Sequence, residues 1–269
     1  MKVPEVIDER SGLPDALLVL TEDPPRGAVL CDFDGTLAPI VPDPEAAAPV
    51  PEAPAVLGAL AARFGVVAVV SGRPAPFLAR HLSGAGPRLL LYGGYGAEWL
   101  ADGALHRSPA VEPWIPAVAE AVAAARREAP AGLGIEDKGF GLTLHWRRNV
   151  ETGPWALDFA RGWAERTGLA LQPGRRVVEL RPPAGPDKGT VVEELAGSSH
   201  AALFAGDDAG DLAAFDALDR LAARGTSTVR MAVADEESPP DLVARADVVA
   251  HGPHEALAAL AALARAVSA

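Results

Sequence analysis

Apolar runs closed by turn-forming residues recur along the chain. Ala28–Asp32 and Val66–Ser71 are continuous apolar runs, and Leu89–Tyr92, Ala201–Ala205, Thr228–Ala232 and Asp247–Ala250 are shorter ones. Runs with no polar alternation predict strands covered on both faces. Between them, Ala53–Phe64, Pro76–Leu82, Asp187–Ala196, Gly210–Ala222 and His254–Val267 have helical period or composition. Strand and helix in alternation predict an α/β fold, a doubly wound, mostly parallel sheet with helices on both faces.

The middle of the chain breaks that rhythm. Pro113–Glu128 predicts a helix, then Leu133–Asp137 and Gly141–Trp146 a pair of strands about Lys138-Gly139. Gly153–Thr167 predicts another helix, then Leu169–Gln172 and Arg176–Leu180 a further pair about Pro173-Gly174. Helices beside paired strands at hairpin spacing predict a separate α+β domain of αββαββ order over residues 107–181, inserted into a core formed by 1–106 and 182–269. The Pro-rich stretches Pro39–Pro54 and Arg181–Pro186 read as loops or hinges.

Composition narrows the partners. The net charge of −12 argues against nucleic acid or an anionic membrane. The insert carries 11 basic and 9 acidic residues against 13 and 27 in the remainder, a slightly basic piece on an acidic base. That asymmetry suits an anionic substrate with a cation beneath it, and a basic insert on hinges would close as a lid. Cys31 is the single cysteine, so no disulfide framework exists, and its apolar setting predicts a small buried residue. The start, Met1-Lys2-Val3-Pro4-Glu5, lacks a basic segment followed by an apolar one, and no apolar run approaches a membrane span of about 20 residues. A cytoplasmic monomer is expected.

The chemistry sits where strands end. The first run finishes in Asp32-Phe33-Asp34-Gly35-Thr36, an expensive place for carboxylates unless a cation or donors meet them. One carboxylate could attack phosphorus and the other act as general acid and base. Ser71-Gly72-Arg73 closes the next strand, where a hydroxyl and turn N–H groups could hold phosphate oxygens. Lys188, at a predicted helix start, could bring a point charge to phosphate or to an anionic nucleophile. Gly206-Asp207-Asp208-Ala209-Gly210-Asp211 follows another strand. One aspartate there could ligate Mg²⁺ and the others orient it, with a helix cap the alternative reading for Asp211.

The order of these motifs resembles the haloacid-dehalogenase (HAD) superfamily. The finer pattern resembles trehalose-6-phosphate phosphatases over about Arg26 to Ala250. Its carriers are Asp32–Ile40 with Pro42-Asp43-Pro44, Ser71-Gly72-Arg73-Pro74, Gly93-Gly94-Tyr95-Gly96-Ala97-Glu98, Glu136-Asp137-Lys138, His145-Trp146-Arg147, Val178-Glu179-Leu180-Arg181-Pro182 and Asp187-Lys188-Gly189. Family members often carry Asn or His where this chain has Gly94 and Tyr95. The resemblance implies an Mg²⁺-dependent phosphatase that releases phosphate from trehalose 6-phosphate, a phosphorylated disaccharide. It implies Asp32 as nucleophile, Asp34 as general acid and base, and Ser71 and Lys188 as phosphate binders. Mg²⁺ would be held by Asp32, Asp207 and the Asp34 carbonyl, with Asp208 and Asp211 behind them. Gly72, Arg73, Glu98, Lys138, His145, Arg147 and Glu179 become the candidate substrate contacts. Another sugar or pseudo-sugar phosphate as substrate, or a non-catalytic sensor of a sugar phosphate, are the competing expectations.

Overall fold

The computed structural model describes residues 7–8, 13–41, 46–101, 103–174, 176–235 and 238–268. Pro42, Asp43 and Pro44, which help to carry the resemblance, lie outside the described residues. The described chain divides into two compact units, one formed by residues 1–105 and 187–269 and the other by 106–186. Among the described residues no helix is long and apolar enough to cross a membrane.

The strands that begin in the first unit, in chain order, are β1 (Ile7–Asp8), β2 (Leu13–Pro14), β3 (Gly27–Cys31), β4 (Val66–Val70), β5 (Leu90–Gly93), β6 (Glu98–Ala101) and β7 (Ala104–Arg107), whose last two residues fall in the second. The second unit holds β8 (Gly134–Asp137), β9 (Leu142–His145), β10 (Ala170–Gly174) and β11 (Val177–Arg181). The chain returns to the first unit with β12 (Ala201–Gly206), β13 (Ser227–Ala234) and β14 (Val248–His251). The helices are α1 (Ala53–Ala61), α2 (Ala75–His81), α3 (Ile115–Glu128), α4 (Gly153–Thr167), α5 (Lys188–Ala196), α6 (Leu212–Ala222), α7 (Pro240–Arg245) and α8 (Pro253–Ala266).

The main sheet has eight strands in the order β14-β13-β12-β3-β4-β5-β6-β7. Neighbours from β14 through β5 run parallel, and β6 pairs antiparallel with β5. Within each central strand, alternate residues feed opposite cores. Val29 and Cys31 of β3 join one cluster with Leu57 and Leu60 of α1, Leu78 of α2, and Leu260 and Leu263 of α8. Ala28 and Leu30 join the other with Val191 and Val192 of α5, Phe215 and Leu218 of α6, and Leu242 of α7. Each fully buried Leu or Phe contributes about 1.5–3 kcal/mol. The expected doubly wound α/β core is therefore present. From β3 the chain moves outward one way to β4 and β5, and later the other way to β12, β13 and β14. The crevice at such a reversal, at the carboxyl ends of the strands, is where open α/β sheets bind ligands.

The second unit is an antiparallel sheet of order β10-β11-β9-β8. α3 and α4 cover one face through Val118, Val122, Ala156 and Ala160 against Leu142, Leu144, Val178 and Leu180. The opposite face takes the intervening residues, with Glu136, Thr143 and Glu179 side by side in register.

Some elements differ from the sequence reading. Pro173 and Gly174, read as a turn, lie inside β10, paired with Val178 and Val177. β10 is an edge strand, where a proline without an N–H costs no ladder bond. Glu98, a candidate substrate contact from sequence, begins β6, which with β7 extends the main sheet beyond the predicted strands.

Candidate active site

Asp32 follows β3 directly, and its N–H donates to Ala205 of β12 (2.8 Å), so the ladder continues one residue past the strand. Phe33 is fully buried, with its ring edge-on to Phe77 at 5.8 Å. It anchors the segment in the core and leaves the flanking aspartates at the sheet end. Ser71 follows β4, its N–H bonded to Tyr92 (3.0 Å). Asp207 follows β12, the other neighbour of β3. The strand-end candidates of the sequence reading thus meet at adjacent strand tips.

Lys188 opens α5, whose first turn is fixed by Asp187: its Oδ1 accepts the Thr190 N–H at 2.7 Å. That cap turns Lys188 inward, 2% exposed, with Nζ 3.0 Å from Asp32 Oδ2 and 2.6 Å from Asp211 Oδ1. The other Asp211 oxygen accepts the N–H groups of Asp207 (2.9 Å) and Asp208 (3.0 Å). Asp211 thus fixes the turn after β12 with one oxygen and pairs with Lys188 through the other. Asp208 is exposed, and its Oδ1 accepts the Gly210 N–H (2.8 Å). Thr36 was not singled out from sequence, although it stands in the Asp-Phe-Asp-Gly-Thr run. Its Oγ1 donates to Asp207 Oδ1 at 3.1 Å. Gly35 permits this closeness: its φ is +77°, and a Cβ there would lie 2.0 Å from Asp207 Oδ2.

Carboxylate oxygens of Asp32, Asp207 and Asp211 lie within 4.8 Å of one another. Burial raises Asp32 well above the usual carboxylate range; Lys188 opposes that, and the neighbouring acids add to it. Burial, then Asp211 and Asp208, push Asp207 up to about 7. Asp211 is raised too, chiefly by burial. For Lys188 burial works downward, but Asp32 and Asp211 prevail and hold it firmly charged. Three acids against one ammonium leave a negative surplus in a water-poor pocket. An all-oxygen donor set with that surplus fits a hard divalent cation.

Asp34 points elsewhere. Its carboxylate is gripped by Arg73 in two parallel bonds, Nε to Oδ2 at 2.7 Å and Nη2 to Oδ1 at 2.8 Å. The Arg73 guanidinium also lies 4.7 Å from the Phe77 ring centre. Ser71 Oγ accepts the Arg73 N–H (3.1 Å), which closes the turn through Gly72. Glu98 is buried at 3% exposure, and its Oε1 accepts the Ala75 N–H (2.8 Å) at the start of α2. This bond ties β6 to the helix that leaves the Ser71–Pro74 turn.

The remaining candidates lie in the second unit. Lys138 follows β8 in a tight turn and reaches Glu179 of β11, Nζ to Oε1 at 3.3 Å. His145 Nε2 lies 3.0 Å from Glu136 Oε2. Arg147 is exposed just beyond β9. Thr143, not singled out from sequence, stands between Glu136 and Glu179 with its Oγ1 buried and lacking a hydrogen-bond partner among the described residues.

Comparison with known proteins places this arrangement. The trehalose-phosphatase family model matches residues 30–246. The trehalose-phosphate phosphatase of Mycobacterium marinum is 38% identical over 223 residues, 77% of this chain and 56% of that protein. That of Mycolicibacterium paratuberculosis is 39% identical over 224 residues, again 77% and 56%. The chain thus spans about half the length of these relatives. A solved structure of a trehalose-6-phosphate phosphatase related protein matches with a TM-score of 0.72 at 23% identity, covering 87% of this chain and 95% of that one. The C-terminal domain of C. albicans trehalose-6-phosphate phosphatase matches with a TM-score of 0.69 at 22% identity, covering 94% and 98%. These two likenesses carry the fold; the family model, spanning most of the sequence with the strand-end acids inside it, carries more. The chain belongs to the trehalose-phosphatase family.

Proposed function

We propose that the chain is a phosphomonoesterase that releases phosphate from trehalose 6-phosphate by way of an aspartyl-phosphate. The observation that carries this reading is the buried Asp32–Lys188–Asp211 chain beside Asp207, with Asp34 held apart at the same strand end.

Asp32 Oδ would attack phosphorus, forming a new P–O bond as the bond to the sugar oxygen breaks. Asp34, once protonated and released from the Arg73 guanidinium that holds it here, would give that proton to the departing sugar alkoxide, which leaves as the free disaccharide. It would then take a proton from water as that water attacks the phosphorus, breaking the bond to Asp32 and freeing inorganic phosphate. Lys188 would hold Asp32 ionised and ready, since a protonated carboxyl is no nucleophile. The Ser71 hydroxyl and the Gly72 N–H would orient the phosphoryl oxygens. Mg²⁺, held by Asp32, Asp207 and the Asp34 carbonyl, would supply the positive charge that lets two anions meet.

The sugar contacts belong to the same proposal. Lys138 and Glu179 are a cation and an anion suited to hydroxyl groups, as are His145 and Arg147. Glu98 fits less well, because its visible work is at the α2 N-terminus. The family relationship and the hard-cation donor set support the reading.

The test is phosphate release from a panel of sugar phosphates with Mg²⁺. Preference for trehalose 6-phosphate, and its loss in Asp32→Asn, are expected. Preference for glucose 6-phosphate or sucrose 6-phosphate would remove the trehalose assignment. Binding without turnover would make the chain a sensor.

A further inference from the structure

Tyr95 stands in a left-handed backbone conformation, φ 60° and ψ 25°, between Gly94 (φ 57°) and Gly96 (φ 100°). For a bulky aromatic residue this is a genuine outlier, and such positions cost about 1–3 kcal/mol where the surroundings enforce them. The segment that carries the strain grips the Ser71–Gly72–Arg73 turn from both ends. The Gly94 N–H donates to the Arg73 carbonyl (3.0 Å), and the Tyr95 N–H donates to the Ser71 carbonyl (2.8 Å). The Tyr95 ring then covers the middle of the turn. A Cβ on Gly72 would lie 2.6 Å from the phenol oxygen and 2.7 Å from Cζ, and its three nearest contacts would all be atoms of Tyr95. Gly72 itself is not in the left-handed region, so its backbone would accept a side chain. What excludes one is the ring.

We propose that Tyr95 is a positioning residue: its strained backbone presses the phenol ring onto Gly72, and this sets the Ser71–Gly72–Arg73 turn and, through Arg73, the carboxylate of Asp34. The proposal rests on the phosphatase reading for its kinetic consequence, but the contact stands on geometry alone. The turn carries two tasks at once. On the phosphatase reading Ser71 Oγ would meet the incoming phosphoryl group, and the Arg73 guanidinium fixes both oxygens of Asp34. A displacement of about 1 Å at such a point can cost on the order of a hundredfold in rate.

The test is a cycle of Gly72→Ala, Tyr95→Gly and the double variant, with Tyr95→Phe and Tyr95→Asn alongside. Tyr95→Gly relieves the backbone strain and so should fold with a melting temperature close to the parent's. Tyr95→Asn tolerates the same backbone without supplying the ring. Both should lose about tenfold or more in kcat for trehalose 6-phosphate and for p-nitrophenyl phosphate, with a smaller change in KM. Tyr95→Phe keeps the ring and should retain activity within about threefold. Gly72→Ala should lower the melting temperature in the parent and lower it much less in the Tyr95→Gly background, because the collision partner is gone. Calorimetric binding of inorganic phosphate should weaken about tenfold in Tyr95→Gly and Tyr95→Asn, whichever ester proves to be the substrate. If the parent releases no phosphate from any ester, the phosphatase reading fails, while the melting and phosphate-binding cycle still decides the role of Tyr95. If Gly72→Ala is equally damaging in both backgrounds, or if Tyr95→Gly and Tyr95→Asn bind phosphate like the parent, the proposal is overturned.

Discussion

Replacing Thr143 by valine should make the second unit more stable. Thr143 is 3% exposed, and its Oγ1 is buried with no hydrogen-bond partner among the described residues. It stands on the sheet face opposite α3 and α4, between Glu136 and Glu179. An unsatisfied buried donor and acceptor costs about 1–3 kcal/mol. Valine has nearly the same shape, no polar atom, and at least equal preference for a strand. We expect a gain of about 1 kcal/mol, the lower end of that range, because part of the penalty is relieved by small shifts of neighbouring side chains. For a unit of residues 106–186, that gain corresponds to roughly 4–8 °C in melting temperature. Tryptophan fluorescence is well placed to see it: Trp114, Trp146, Trp155 and Trp163 lie in this unit and only Trp99 in the other. Thr143→Ser, which keeps the hydroxyl and loses the methyl, should move the midpoint down. A Thr143→Val protein that melts below the parent by the same probe would refute the reasoning and mean that the hydroxyl has a stabilising partner.

Lys188→Met should lower the urea midpoint sharply, because removing one partner of a buried ion pair costs about 3–5 kcal/mol, and it should abolish phosphate release; an unchanged midpoint would show that Asp32 and Asp211 do not need the ammonium. Mg²⁺ should raise the melting temperature of the parent, by an amount worth about 2.7 kcal/mol at a hundredfold excess over Kd, and EDTA should reverse it. Asp207→Asn should blunt that response, and a full response in the variant would remove Asp207 from the ligand set. Burial works to raise the Asp219 carboxyl, but hydrogen bonds from Arg230 and Arg245 outweigh it and hold the group below its usual value. A depressed carboxylate contributes stability above its unfolded pKa and loses it as pH falls, so Asp219→Asn should flatten the acid side of the stability curve below about pH 4. A parallel acid limb in wild type and variant would count against it.

The elements that the sequence announced share one property: their residues obey a single strong rule. β3, β4 and β12 are apolar on both faces, which only a covered parallel strand needs; α3 and α8 are Ala-rich, and they and α4 each carry a buried stripe. The elements it hid are governed by weaker or competing rules. β6 opens with a charged residue whose carboxylate is spent on a helix N-terminus, so Glu98 looked like a ligand contact rather than a strand residue. β10 contains Pro173, which signals a turn unless the strand is known to lie at an edge. Within the site, the strand-end acids and Lys188 were legible because a charge closing an apolar run has few structural uses. The roles of Thr36 and Tyr95 were not, since a hydroxyl reaching an acid 171 positions away and a ring lying on a distant glycine exist only after folding.

The central strand of the main sheet acquires its second neighbour late. Ala28 pairs with Ala202, more than 170 positions downstream, with the whole second unit between them. At ribosomal speeds of about 5–20 residues per second, β3 therefore waits on the order of 10–30 s before β12 emerges. During that interval an apolar strand keeps one row of amide and carbonyl groups open to any other extended chain. Nascent or truncated forms ending before Ala201 should need chaperone protection, and Asp32 cannot meet Lys188 until most of the protein has been made.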